Sequence, residues 1–132
     1  MNDDHCVAEN ALTASVAIQG TASALGFDWP DAFGVLAKIE EELGEIREAL
    51  EAGDGFQAQR ELGDLLLAAV NLSRFLGTDP NAELERANAR FSRRFAAVQD
   101  EVARAGRPMT SYSLDELDAV WNRVKRALED DS

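Results

Sequence analysis

The sequence predicts an all-α fold, a bundle of about five helices. Two observations carry that expectation. Apolar residues recur in three- and four-residue steps over long stretches, as in Leu36, Ile39, Leu43, Ile46 and Leu50, and again in Leu117, Trp121, Val124 and Leu128. Gly26, Gly53, Gly77 and Gly106 then punctuate the chain at helix-length intervals, while no segment shows the two-residue alternation of a strand.

The helices follow in order. The first is expected from Ala11 to Ala24; it is rich in Ala, Ser and Thr, carries Gly20, and ends at Gly26. Asp28-Trp29-Pro30 opens the second, from about Asp31 to Ala52, whose stripe is of the bundle type and which Gly53 stops. The third, about Phe56 to Leu76, is apolar around most of its circumference, so it should be covered on most sides. Asp79-Pro80 starts the fourth, which reaches about Ala105. Ser113-Leu114-Asp115-Glu116 has the spacing of a capping box for the fifth. Short connections favour antiparallel neighbours. The expected organisation is a flexible tail over 1–10 and one helical domain over 11–132.

Composition narrows the function. A formal charge of −12 argues against nucleic-acid binding, which needs a basic footprint. The charge is uneven: residues 1–59 hold two cations, Lys38 and Arg47, against twelve acids, and the remainder is nearly balanced. No run is long and apolar enough to span a membrane. The N-terminus lacks a signal-peptide pattern, and Cys6, the single cysteine, suits a reducing cytoplasm.

The chemistry concentrates in two carboxylate groups set into apolar helices. The first is Glu41-Glu42-Leu43-Gly44-Glu45; the second, Glu61-Leu62-Gly63-Asp64, runs straight into Leu65-Leu66-Leu67. Glu42 projects at the edge of the second helix's stripe, with Glu45 one turn on and Lys38 one turn before. Glu61 projects into the apolar arc of the third helix, and Asp64 lies at its margin. An acidic run on one helix is ordinarily a solvated face. An ionised carboxylate in an apolar arc must instead be paired, protonated or metal-bound. All-oxygen ligands disfavour zinc, and the only histidine, His5, lies in the tail, which disfavours a di-iron bundle. Mg²⁺, with Mn²⁺ as a substitute, is the expected cation, and a phosphate substrate suits it. Arg86, Arg90 and Arg94 share a face of the fourth helix, where they either balance surface acids or meet phosphates. Trp121 is either core or a platform for a nucleobase.

The ordered set of motifs resembles the MazG family of nucleoside triphosphate pyrophosphohydrolases. The resemblance rests on EExxE at Glu41 to Glu45 followed by ExxD at Glu61 to Asp64. It is joined by Gly26-Phe27-Asp28-Trp29, by Gly63-Asp64-Leu65-Leu66 with Val70-Asn71-Leu72, by Arg86-Ala87-Asn88-Ala89-Arg90-Phe91 with Arg93-Arg94-Phe95, and by Asp115 to Lys125. It covers roughly residues 20 to 127 and is closest to the C-terminal domain of two-domain members. It implies an all-α fold assembling as a homodimer, and Mg²⁺-dependent hydrolysis of (d)NTPs to (d)NMPs and pyrophosphate. By position it implies metal ligation by Glu42, Glu45, Glu61 and Asp64, proton transfer at Glu41 or Glu42, and nucleotide contacts by Lys38, Glu41, Arg90, Arg94 and Trp121. Some members carry a lysine four residues before the second motif, where this chain has Gln57. The alternatives are a specialist relative acting on dUTP, a damaged nucleotide or phosphoribosyl-ATP, and a catalytically silent acidic module that binds a protein partner.

Overall fold

A computed structural model describes residues 10–129. The tail residues His5 and Cys6 therefore lie outside the described residues. Five α-helices follow one another: α1 (Ala11–Ala24), α2 (Ala32–Glu51), α3 (Gly55–Phe75), α4 (Pro80–Ala105) and α5 (Leu114–Ala127). The described residues contain no strand, and the helix boundaries fall within one residue of the sequence expectation. A single 3₁₀ turn, Met109–Ser111, lies between α4 and α5.

Polar side chains cap the helix starts. Asn10 Oδ1 accepts from the Thr13 amide at 2.9 Å, Asp31 Oδ1 from Phe33 at 2.9 Å, and Asp54 Oδ1 from Gln57 at 3.0 Å. The predicted capping box forms in full, with Ser113 and Glu116 each bonding the other's backbone N–H.

The chain divides into two compact units, one reaching to Ala82 and one beginning at Glu83. In the first, α2 and α3 form a helical hairpin. Gly53 turns the chain between them with φ 73°, a left-handed conformation that a side chain would strain. The Asp54 amide closes the turn on the Ala49 carbonyl at 2.9 Å. Antiparallel register then sets Glu45 against Glu61 and Glu42 beside Glu61 and Asp64. Gln19 Nε2 of α1 donates to the Leu67 carbonyl of α3 at 3.2 Å. Arg74 of α3 pairs with Asp28 at 2.9 Å and also bonds the Asn71 side chain, which fastens the loop before α2 to α3.

The hydrophobic core of this unit is small: Val35, Ala49, Ala68 and Val70 are buried. The expectation that α3 is covered on most sides is not met within one chain. Leu62, Leu66 and Leu67 stay 50%, 54% and 47% exposed, as do Leu43 and Leu50 of α2 at 52% and 63%. The described helices of the unit present too few faces to cover α3 all round.

In the second unit Val98 and Val102 of α4 pack with Val120 and Val124 of α5, flanked by Met109 and Tyr112. Arg107 stacks on the Tyr112 ring at 3.8 Å and pairs with Glu116 at 3.1 Å, which holds that carboxyl down at about 2.

Candidate functional site

The hairpin register concentrates negative charge. One oxygen from each of Glu42, Glu61 and Asp64 lies within 4.8 Å of the others, and the same holds for Glu41, Glu42 and Glu45. Glu42 belongs to both groups. It is 2% exposed, the deepest charged residue among those described, and Glu61 follows at 8%. Asp64 and Glu41 are exposed, and Glu45 is half-buried.

Such a cluster must shed charge, and the structure shows how. Lys38 Nζ stands 3.0 Å from Glu41 and 3.4 Å from Glu42 Oε1. That ammonium holds Glu41 below the ordinary carboxylate range. Gln57 Nε2 donates to Glu61 Oε2 at 2.7 Å, and this bond likewise keeps Glu61 low. Glu45 takes the opposite course. Its hydrogen bond to the Glu61 carboxylate, its partial desolvation and the negative neighbours Glu42, Glu61 and Glu41 push it up to about 7. Glu45 is thus the carboxyl of the cluster that takes up a proton most readily, while Glu61 keeps its charge.

One atom of the cluster remains unsatisfied. Glu42 Oε2 is buried and accepts no hydrogen bond. A carboxylate oxygen in that state is costly unless a cation meets it. The donor set is all carboxylate oxygen, drawn from two rigid helices, which matches hard divalent cations of the Mg²⁺ type. The residues present therefore fit a metal ion.

The other sequence-predicted residues fall as follows. Lys38 joins the cluster. Arg90, Arg94 and Trp121 lie in the second unit; Arg90 and Arg94 are one turn apart on α4 and half-buried. Trp121 packs at the margin of the valine core, with its ring 5.4 Å from that of Phe91. Phe91 in turn stacks on Phe95 at 6.0 Å.

Sequence reading did not identify the pairing of Asp28 with Arg74 or the contact of Gln57 with Glu61. It also did not foresee a cavity of about 430 Å³ in the first unit. Trp29, Phe27, Ile18 and Leu67 give that cavity apolar walls, and Asn71 and Arg74 add a polar edge. It adjoins the cluster along α3: Asn71 is two turns beyond Asp64, about 10 Å along the axis. Trp29 is held from below by Gly34, where a Cβ would stand 3.0 Å from the indole.

Comparison with known proteins gives the family. A family model described as the MazG nucleotide pyrophosphohydrolase domain matches residues 24–103. The chain is 41% identical over 115 residues to the nucleoside triphosphate pyrophosphohydrolase/pyrophosphatase MazG of Thermotoga maritima, covering 87% of this chain and 44% of that protein. It is 42% identical over 118 residues to a nucleoside triphosphate pyrophosphohydrolase of Escherichia coli, covering 88% of this chain and 45% of that protein. The chain thus spans less than half the length of these curated relatives.

Proposed function

The chain belongs to the MazG nucleotide pyrophosphohydrolase family, and from that premise we propose that it hydrolyses nucleoside and deoxynucleoside triphosphates to the monophosphate and pyrophosphate. The observation that carries this reading is the carboxylate cluster with its unsatisfied oxygen on Glu42. Glu42, Glu45, Glu61 and Asp64 would hold Mg²⁺, or Mn²⁺ in its place. When bound, that ion supplies Lewis-acid charge at the phosphate oxygens and makes water a stronger nucleophile.

The chain's own residues do the rest. The water oxygen forms a bond to the α-phosphorus, and the bond from that phosphorus to the bridging oxygen of the β-phosphate breaks. Glu41 or Glu42 accepts the proton the water gives up, and pyrophosphate leaves. Lys38, placed beside both glutamates, offsets charge on the triphosphate, and Arg90 and Arg94 do so from α4. Trp121 contacts the nucleotide. The cavity beside α3 is large enough for a nucleobase and has Trp29 as a flat wall. A protein with a formal charge of −12 repels a polyanion, so the metal and these cations are what admit it.

The reading includes assembly. Leucines half-exposed on both α2 and α3 form an apolar surface that a second copy would bury, giving a homodimer. Residues 11–132 would act as one domain, since the family match runs across the junction at Ala82 and Glu83. Among the described residues no helix is long and apolar enough to cross a membrane, and we place the protein in the cytoplasm, where its substrates are.

The test is pyrophosphate release from the standard ribo- and deoxyribonucleotides, dUTP and an oxidised guanine nucleotide, with Mg²⁺ or with chelator. Broad Mg²⁺-dependent release supports the proposal. Release from one nucleotide alone would make the chain a specialist relative. Silence with no effect of metal on melting would favour a binding module instead.

A further inference from the structure

Gln57 occupies the first turn of α3, where the Asp54 cap fixes its backbone amide at 3.0 Å. Four residues on, Glu61 lies on the same face of the helix, the spacing at which side chains meet. The Gln57 amide donates to Glu61 Oε2 at 2.7 Å, and Gln57 is itself half-buried. Glu61 is 8% exposed and groups with Glu42 of α2 and Asp64 of α3. Its carboxylate therefore has one oxygen taken by a neutral donor, with its charge undiminished.

We propose that Gln57 is a positioning residue for the divalent cation: its amide orients the Glu61 carboxylate toward Glu42 and Asp64 without cancelling the charge that attracts the ion. This rests on the metal reading above and goes beyond it, since it assigns a function to a residue outside both acidic motifs. Donors that hold a ligating carboxylate are commonly worth about 10–100-fold in metal affinity. A neutral donor has a further consequence. An ammonium at this position would make the same hydrogen bond but would repel the incoming cation. The amide thus favours binding of the metal before the nucleotide arrives.

The experiment is a Mn²⁺ titration of the nucleotide-free protein, followed by electron paramagnetic resonance of the free ion, on the wild type, Gln57→Met and Gln57→Lys. Methionine matches the shape of glutamine and cannot donate. Gln57→Met is expected to bind Mn²⁺ about 10–100-fold more weakly, with unchanged helical circular dichroism in chelator and a melting midpoint lowered by the lost hydrogen bond to Glu61. Gln57→Lys is also expected to bind more weakly than the wild type, with a deficit that shrinks as salt screens the ammonium. Wild-type affinity in Gln57→Met, or tighter binding by Gln57→Lys, would overturn the inference while leaving the metal site standing. If the wild type bound no Mn²⁺, the metal reading would fall first and this inference with it.

Discussion

Glu42→Gln is expected to make the metal-free protein more stable and the metal-loaded protein less so. In the wild type Glu42 is 2% exposed, Oε1 meets Lys38 at 3.4 Å, and Oε2 has no donor. A buried polar atom left unsatisfied costs about 1–3 kcal/mol, and more when the group is charged. Glutamine keeps the shape, removes the charge, and turns one acceptor into an amide that can donate to the neighbouring carboxylates. Lys38 retains Glu41 at 3.0 Å, so the substitution leaves no cation stranded. For a domain of this size each kcal/mol moves the midpoint by roughly 4 °C. In chelator the variant should therefore melt about 4–12 °C above the wild type. Mg²⁺ at one thousand times its dissociation constant adds about 4.1 kcal/mol to the wild type and little to the variant. The order of the two melting curves should thus reverse between chelator and saturating Mg²⁺. Differential scanning calorimetry in both buffers reads this directly. If the variant melts at or below the wild type in chelator, the buried charge is not the liability described. If Mg²⁺ raises both midpoints equally, Glu42 is not a ligand.

Three further outcomes are expected. Glu61→Gln should abolish Mg²⁺-dependent hydrolysis while circular dichroism and melting in chelator show an intact fold; full activity would remove Glu61 from the metal site. Leu43→Glu should shift the protein toward monomer in sedimentation, because Leu43 is 52% exposed on α2 beside the open face of α3; an unchanged sedimentation coefficient would place any interface elsewhere. Glu45 gives a pH dependence. Its carboxyl is raised from 4.5 to about 7 in the folded protein, so the folded state binds the proton more tightly than the unfolded one. Its contribution to stability is full below 4.5 and is lost as pH rises through 7. The metal-free midpoint should therefore fall between pH 5 and pH 8 while Mg²⁺ reduces the slope; a flat metal-free profile would contradict the raised Glu45 carboxyl.

The helices were legible because punctuation and periodicity agree: Gly53 ends α2, Asp54 caps α3, and the Ser113–Glu116 box starts α5. The acidic motifs were legible as carboxylates in apolar surroundings, and the structure brings oxygens of Glu42, Glu61 and Asp64 close together. Their ranking was not. A helical projection set Glu61 deepest and Glu42 at an edge, whereas Glu42 is the more buried. Projection describes one helix, and α3 closing over Glu42 is a property of the pair. The link from Asp28 to Arg74 was hidden for the same reason, because its partners are separated by 46 residues. Gln57 was visible only as a departure from a family pattern; its contact with Glu61 needed coordinates. Cover on most sides of α3 was expected from its composition, and the leucines still exposed there show that composition does not say which chain supplies the cover.

The central claim is that this carboxylate site directs water to the α-phosphorus. Hydrolysis of a deoxynucleoside triphosphate in heavy-oxygen water with Mg²⁺, followed by mass spectrometry of both products, tests it most directly. The account predicts the heavy oxygen in the monophosphate alone, with unlabelled pyrophosphate. Label in the pyrophosphate, or a diphosphate with free phosphate as the products, would contradict it.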